Sequence, residues 1–247
     1  HQKVDWLHAR SERNPALGVR GARALLREGR ALRRQVRAIL RAAHGSTEVG
    51  ILVPFVTSID ELQRVRSAVV EERHQLVKKG VACAENVRFA PIIEVPATAF
   101  ISRALLAVSD FVVLGLDDLQ SLVLAADRDN PEVAEQYQIT HPAMFELCAR
   151  VASDAKEAKK SAVLFGEIAA QPSLLPFFLG AGFRDFAIAP AHLGRMLDQF
   201  ERWTAAECCK DRKKGAGWGG EPSRPSGSTP TSCATSRWDL VRTSGSR

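Results

Sequence analysis

Five short apolar runs, 49–55, 88–95, 110–115, 161–166 and 184–190, alternate with amphipathic stretches up to about Trp203. This alternation constrains the fold more than any other feature. Runs of that length suit buried strands, and a helix between consecutive strands returns the chain so that they pair in parallel. The clearest helix opens on a capping box, Ser58-Ile59-Asp60-Glu61, and stops at Gly80. Its Leu62, Val65, Val69 and Leu76 recur at helical spacing on one face, with Arg, Glu and Lys on the other. A second helix is predicted over 141–160, with Met144, Leu147, Cys148, Val151 and Ala155 as its buried stripe. A third, over 22–43, carries seven arginines, most of them read as a solvated face.

The expected class is therefore α/β, of the (β/α)8 TIM type. Five strands do not close an eight-stranded barrel. Either strands upstream of this chain complete it or the sheet is open. The first reading is favoured, because the chain starts at His1-Gln2-Lys3 inside a helical or loop segment with no initiator Met. The incomplete barrel is assigned to 1–203 and a low-complexity tail to 204–247, expected to be disordered or an out-of-frame translation.

A hydrophobic share of 45% is enough for a sizeable core. No apolar run reaches the roughly 18 residues of a membrane span, and the start is no signal peptide. The net charge of +6 sits mainly in the tail, where eight Lys and Arg stand against three acids over 208–247. A nucleic-acid partner calls for that charge on a folded face, so none is expected. Of the five cysteines, Cys83 and Cys148 fall in the body and Cys208, Cys209 and Cys233 in the tail, with no zinc spacing. An odd number without a secretion signal fits a reduced, cytoplasmic setting.

Two acids stand out. Glu94 closes the run Ile92-Ile93-Glu94-Val95-Pro96, and Asp118 lies just beyond the next run in Leu116-Asp117-Asp118-Leu119. Arg128 follows in Ala126-Asp127-Arg128. Carboxylates at the C-terminal ends of barrel strands, with an arginine close behind, suit a divalent metal and a phosphorylated acid. Each residue also has an ordinary alternative. Glu94 could be a loop or salt-bridge residue, Asp118 a helix cap, and Arg20 and Arg128 surface ion pairs worth under about 1 kcal/mol.

Taken in order, these and neighbouring segments resemble the C-terminal barrel of enzyme I of the sugar phosphotransferase system, a phosphoenolpyruvate (PEP)–protein phosphotransferase. Asn14-Pro15-Ala16-Leu17-Gly18-Val19-Arg20 is similar to the family's N-P-x-L-G-x-R, and Val36-Arg37-Ala38-Ile39-Leu40-Arg41-Ala42 to its L-R-A-I-L-R-A. Glu94-Val95-Pro96-Ala97 resembles V-E-T-P-A, and Leu124-Ala125-Ala126-Asp127-Arg128-Asp129-Asn130 resembles L-A-V-D-R-x-N. Val133-Ala134, Tyr137 and His141-Pro142-Ala143 fit the segment that follows. The resemblance implies Mg2+ on Glu94 and Asp118, with Arg20, Arg128 and Asp117 at substrate positions. It implies phosphoryl transfer from PEP to a protein histidine, giving pyruvate, with the phosphohistidine domain upstream or in trans. It also implies a cytoplasmic homodimer with no membrane partner.

The sequence departs from that pattern at three places. The family's G-M-C-G-E, whose cysteine handles the proton at the substrate's methylene carbon, is Val163-Leu164-Phe165-Gly166-Glu167, leaving no catalytic residue at Phe165. Its T-N-D-L is Leu116-Asp117-Asp118-Leu119, which sets a second negative charge near an anion. Its S-M-S is Ala187-Ile188-Ala189, without the two hydroxyls. None of His1, His8, His44, His74, His141 and His192 lies in a phosphohistidine-like segment, and His141, before Pro142, reads as structural. The expectation is a truncated barrel impaired in turnover. The alternatives are a non-catalytic PEP-binding or regulatory paralogue, and another Mg-dependent oxoacid barrel such as a lyase of the citrate lyase β type.

Overall fold

A computed structural model of the chain describes residues 12–46 and 48–203. The expected tail at 204–247 lies outside the described residues. Helices α1 (Gly21–Arg27) and α2 (Gly29–Ala42) precede strand β1 (Val49–Val53). Then come α3 (Ile59–Lys78), β2 (Val87–Ile93), α4 (Pro96–Phe100), α5 (Ser102–Val108) and β3 (Val112–Gly115). Helices α6 (Leu116–Leu124) and α7 (Pro142–Ala158) lead to β4 (Ala162–Phe165), α8 (Leu175–Ala181), β5 (Asp185–Ala187) and α9 (Leu193–Arg202).

The strands form one five-stranded sheet in chain order, every pair parallel. Consecutive parallel neighbours joined by helical crossovers form an arc of a TIM-type barrel. The register pairs Val53 with Pro91, Ile93 with Leu114, Gly115 with Phe165, and Phe165 with Ala187. All strand C-termini thus emerge along one rim. The helices pack on the face that carries Ile51, Val53, Phe89, Ile93, Val112, Leu114 and Leu164. Alternation puts Leu52, Ile92, Val113, Val163 and Phe165 on the opposite face, where Leu52 and Phe165 are exposed.

The helix boundaries follow their local chemistry. Ser58 Oγ caps α3 by accepting from the Glu61 amide at 3.2 Å. The reciprocal bond of the predicted capping box goes one residue further out, because Glu61 Oε2 accepts from the amide and hydroxyl of Thr57, each at 2.7 Å. The predicted helix over 22–43 is two helices. Glu28, with φ −102° and ψ 57°, closes α1 onto Ala24 and starts α2 beside Gly29. Two of its arginines are more than a solvated face. Arg37 reaches the buried Glu72 of α3 through Nε at 2.9 Å and Nη2 at 2.7 Å, and Arg33 reaches it at 3.3 Å. Burial pushes Glu72 upward, but the two guanidiniums outweigh it and hold the carboxyl below its usual range.

Candidate PEP and metal site

Glu94 follows β2 directly and is buried, with 9% exposure. Its side chain leans across to the end of β1, where Oε2 accepts from the Phe55 amide at 2.7 Å. Phe55 holds that amide inward at φ +53°, a left-handed conformation that a bulky side chain enters only under constraint. Part of the constraint is Gly21, also at φ +53°. A β-carbon there would lie 2.4 Å from Phe55 Cβ, and the neighbouring Ala22 amide donates to Pro54 O at 2.8 Å. The start of α1 therefore sits on the end of β1 and brings Arg20 over the rim.

Asp118 is in the first turn of α6 and is also buried. Arg20 Nη2 donates to its Oδ2 at 2.7 Å, and Arg128, from the loop after α6, pairs with Oδ1. The Arg20 guanidinium also lies 4.3 Å from the centroid of the Phe55 ring. Two arginines thus converge on one carboxylate next to Glu94. Gly115 makes this close approach possible, since a β-carbon there would meet Glu94 Cγ at 2.6 Å.

The surroundings act on Glu94 in opposite directions. Burial pushes the Glu94 carboxyl up to about 7, and Asp118 adds to the rise. The Phe55 amide and the Arg20 and Arg128 guanidiniums oppose it. Glu94 is therefore half-protonated near neutral pH, while Asp118 is balanced by two cations.

Asp117 is placed differently. Its Oδ2 accepts from the Glu167 amide at 3.1 Å, beyond the end of β4. Gly166, at φ +117°, leaves room for this, because a β-carbon would lie 2.1 Å from that oxygen. Burial raises the Asp117 carboxyl, against the amides of Glu167 and Ile168 and the charge of Arg128. The structure thus brings together Glu94, Asp118, Arg20 and Arg128, with Asp117 turned to the β4 corner.

Several supporting residues were not singled out from the sequence. Tyr137 donates its hydroxyl to Asp117 O at 3.0 Å, and Glu12 Oε1 accepts from the Val19 amide at 2.8 Å, next to Arg20. His192 Nε2 lies 2.9 Å from Glu167 Oε2 on the same rim. Glu167 and His192 carried one available signal, a polar residue a few positions past a strand end, which ordinary loops share; Tyr137 carried only its place in the resemblance, and Glu12 carried none. His141 is structural, its Nδ1 accepting from the Ala143 amide at 3.1 Å. Cys148 lies in the core, where burial pushes its thiol up to about 12 and keeps it inert.

No cluster of three or more His, Cys, Asp or Glu among the described residues could hold a metal. Two buried carboxylates on adjacent strand ends nevertheless fit magnesium, which takes one or two protein carboxylates and fills its shell from substrate and water. No described helix is long and apolar enough to cross a membrane.

Residues 1–203 match the family model for the PEP-binding domain of PEP-utilising enzymes. The chain is 32% identical over 214 residues to a phosphoenolpyruvate-protein phosphotransferase of Bacillus subtilis, covering 86% of this chain and 37% of that protein. One from Cupriavidus necator is 34% identical over 186 residues, covering 75% and 32%. Multiphosphoryl transfer protein 2 of Escherichia coli is 30% identical over 208 residues, covering 84% and 25%. The chain thus spans about a third or less of the length of these relatives. Among solved structures, a citrate lyase from Burkholderia xenovorans superposes with a TM-score of 0.52 at 18% identity, covering 74% of this chain and 60% of that one. That likeness shows the fold alone.

Proposed function

The chain belongs to the PEP-utilising enzyme family by its PEP-binding domain, and on that premise we propose that it is the substrate-binding barrel of a PEP–protein phosphotransferase. The observation that carries the reading is the convergence of Arg20 and Arg128 on Asp118 beside the buried Glu94. PEP is compact and multiply charged, and guanidinium forks pair in bidentate fashion with both its phosphate and its carboxylate. Arg20 and Arg128 bind and orient the anion, releasing Asp118 as they do. Glu94 and Asp118 would hold the divalent cation, which when bound supplies positive charge opposite the phosphate oxygens. Glu94 gives up its proton to serve there, and the Phe55 amide steadies its carboxylate. The two arginines also offset the charge that develops as the phosphoryl group leaves.

The acceptor in this reading is a histidine on a domain upstream or in trans, and the protein works in the cytoplasm as a homodimer. The similarity to phosphoenolpyruvate-protein phosphotransferases and the run of shared motifs support the protein acceptor. Phe165 favours a second reading, a barrel that binds PEP without turning it over, because a phenyl ring transfers no proton. Mixing the full chain with PEP, Mg2+ and the phosphohistidine domain of a curated relative, and following pyruvate release, separates the two. Release above the rate of the acceptor domain alone supports the transferase. PEP binding without release supports the non-catalytic barrel.

A further inference from the structure

The rim holds a second pair of titratable groups that the site above does not use. The register sets Phe165 beside Ala187, so the chain leaves β4 and β5 side by side. Glu167 lies two residues past Phe165. His192 closes the short 3-10 turn Pro190–His192 that follows β5 and leads into α9. The imidazole reaches back across the gap, with Nε2 2.9 Å from Glu167 Oε2. The Glu167 amide meanwhile donates to Asp117 Oδ2 at 3.1 Å, and Asp117 neighbours Asp118. The pair is thus tied through one hydrogen bond to the acidic turn that carries Asp118, a proposed cation ligand. The His192 side chain is 34% exposed and the Glu167 side chain 75% exposed, so the pair faces solvent on the rim.

We infer that His192 and Glu167 form an acid–base dyad that moves the proton at the substrate's methylene carbon, the step for which Phe165 offers no group. A carboxylate on one imidazole nitrogen fixes the ring and stabilises its cation, leaving the other nitrogen to transfer a proton. With Nε2–H donating to Glu167, that atom is Nδ1. The inference rests on the PEP reading of the site. In the forward direction the bond between phosphorus and the C2 oxygen breaks, and the phosphoryl group passes to the acceptor histidine. The electron pair left on the C2 oxygen re-forms the carbonyl as C3 takes the proton from Nδ1. The imidazole becomes neutral and is reprotonated by water. In reverse, neutral His192 takes a proton from the methyl group of pyruvate and gives the enolate.

The reverse half needs no phosphoryl acceptor, which makes it the direct test. The full chain is incubated with pyruvate and Mg2+ in deuterated water, and NMR follows deuterium entering the methyl group. Melts with PEP and Mg2+ are recorded in parallel. The dyad predicts exchange above the protein-free rate, with an inflection against pH. His192→Asn lowers the exchange about 10²-fold or more and removes the inflection, and Glu167→Gln lowers it about 10-fold. Both variants keep the ligand-induced rise in melting temperature. Exchange unaltered in His192→Asn, or no exchange in a wild type whose melt still responds to ligand, overturns the dyad and leaves the PEP site standing. No exchange and no melt response overturns both.

Discussion

Replacing Glu94 by glutamine tests the electrostatics of the site through stability alone. Unfolded, Glu94 titrates near its ordinary 4.5; folded, burial moves it to about 7. The folded chain keeps a proton that the unfolded chain has already released. The stability due to that proton is full below 4.5 and is lost as pH rises through about 7. At about 1.4 kcal/mol per tenfold, the loss is about 3 kcal/mol. Glutamine has nothing to ionise, and its amide oxygen can still accept from the Phe55 amide. In the metal-free full chain, urea unfolding should therefore show Glu94→Gln gaining about 3 kcal/mol on wild type between about pH 4 and about pH 8. On heating, the gain should appear as roughly 6–12 °C in relative Tm for a chain of this size. Stability curves that run parallel across that range would refute the burial of an ionisable Glu94. Because the cation needs the carboxylate, Mg2+ should also bind more tightly as pH rises through about 7.

Three other substitutions probe separate parts of the account. Gly115→Ala sets a methyl 2.6 Å from Glu94 Cγ. It should cost about 1–3 kcal/mol in chemical denaturation and abolish Mg2+-dependent PEP binding in calorimetry. Glu72→Ala strips Arg37 of its partner and Arg33 of one of its two. It should cost about 1–3 kcal/mol and leave PEP affinity unchanged, because the cluster lies between α2 and α3, away from the rim. Phe165→Cys removes a ring that is 44% exposed. It should change stability by about 1 kcal/mol or less and, because His192 and Glu167 already move the proton, raise pyruvate release by no more than about 10-fold with an acceptor domain present; a gain of about 10²-fold or more would count against the dyad.

The strand–helix alternation was legible because each run is bounded by turn residues and is too short for a helix. Its edges were not. The run at 184–190 contributes only Asp185–Ala187 to the sheet, since Pro190 has no amide to donate and opens the turn to His192. Glu94 and Asp118 could be read because Glu94 follows a strand directly and Asp118 lies in the helix turn just after the next one, and a parallel sheet sends all such residues to one rim. Arg20 came by resemblance alone. What draws it to Asp118 is the seating of Gly21 on the left-handed Phe55, a backbone contact with no sequence signature. Asp117 could be located but not oriented, because its partner is the Glu167 amide, fifty positions on and set by strand register. His192 was passed over as one histidine among six. Only the pairing of β4 with β5 brings it to Glu167.

The most direct test of the central claim is a thermal melt of the full chain with PEP, with Mg2+, with both and with neither, repeated on Arg128→Ala. Arg20, Arg128, Glu94 and Asp118 acting as one site predict a cooperative melt that rises clearly only when both ligands are present, and no rise in the variant. A cooperative melt indifferent to the ligands, or a rise of equal size in Arg128→Ala, would contradict it.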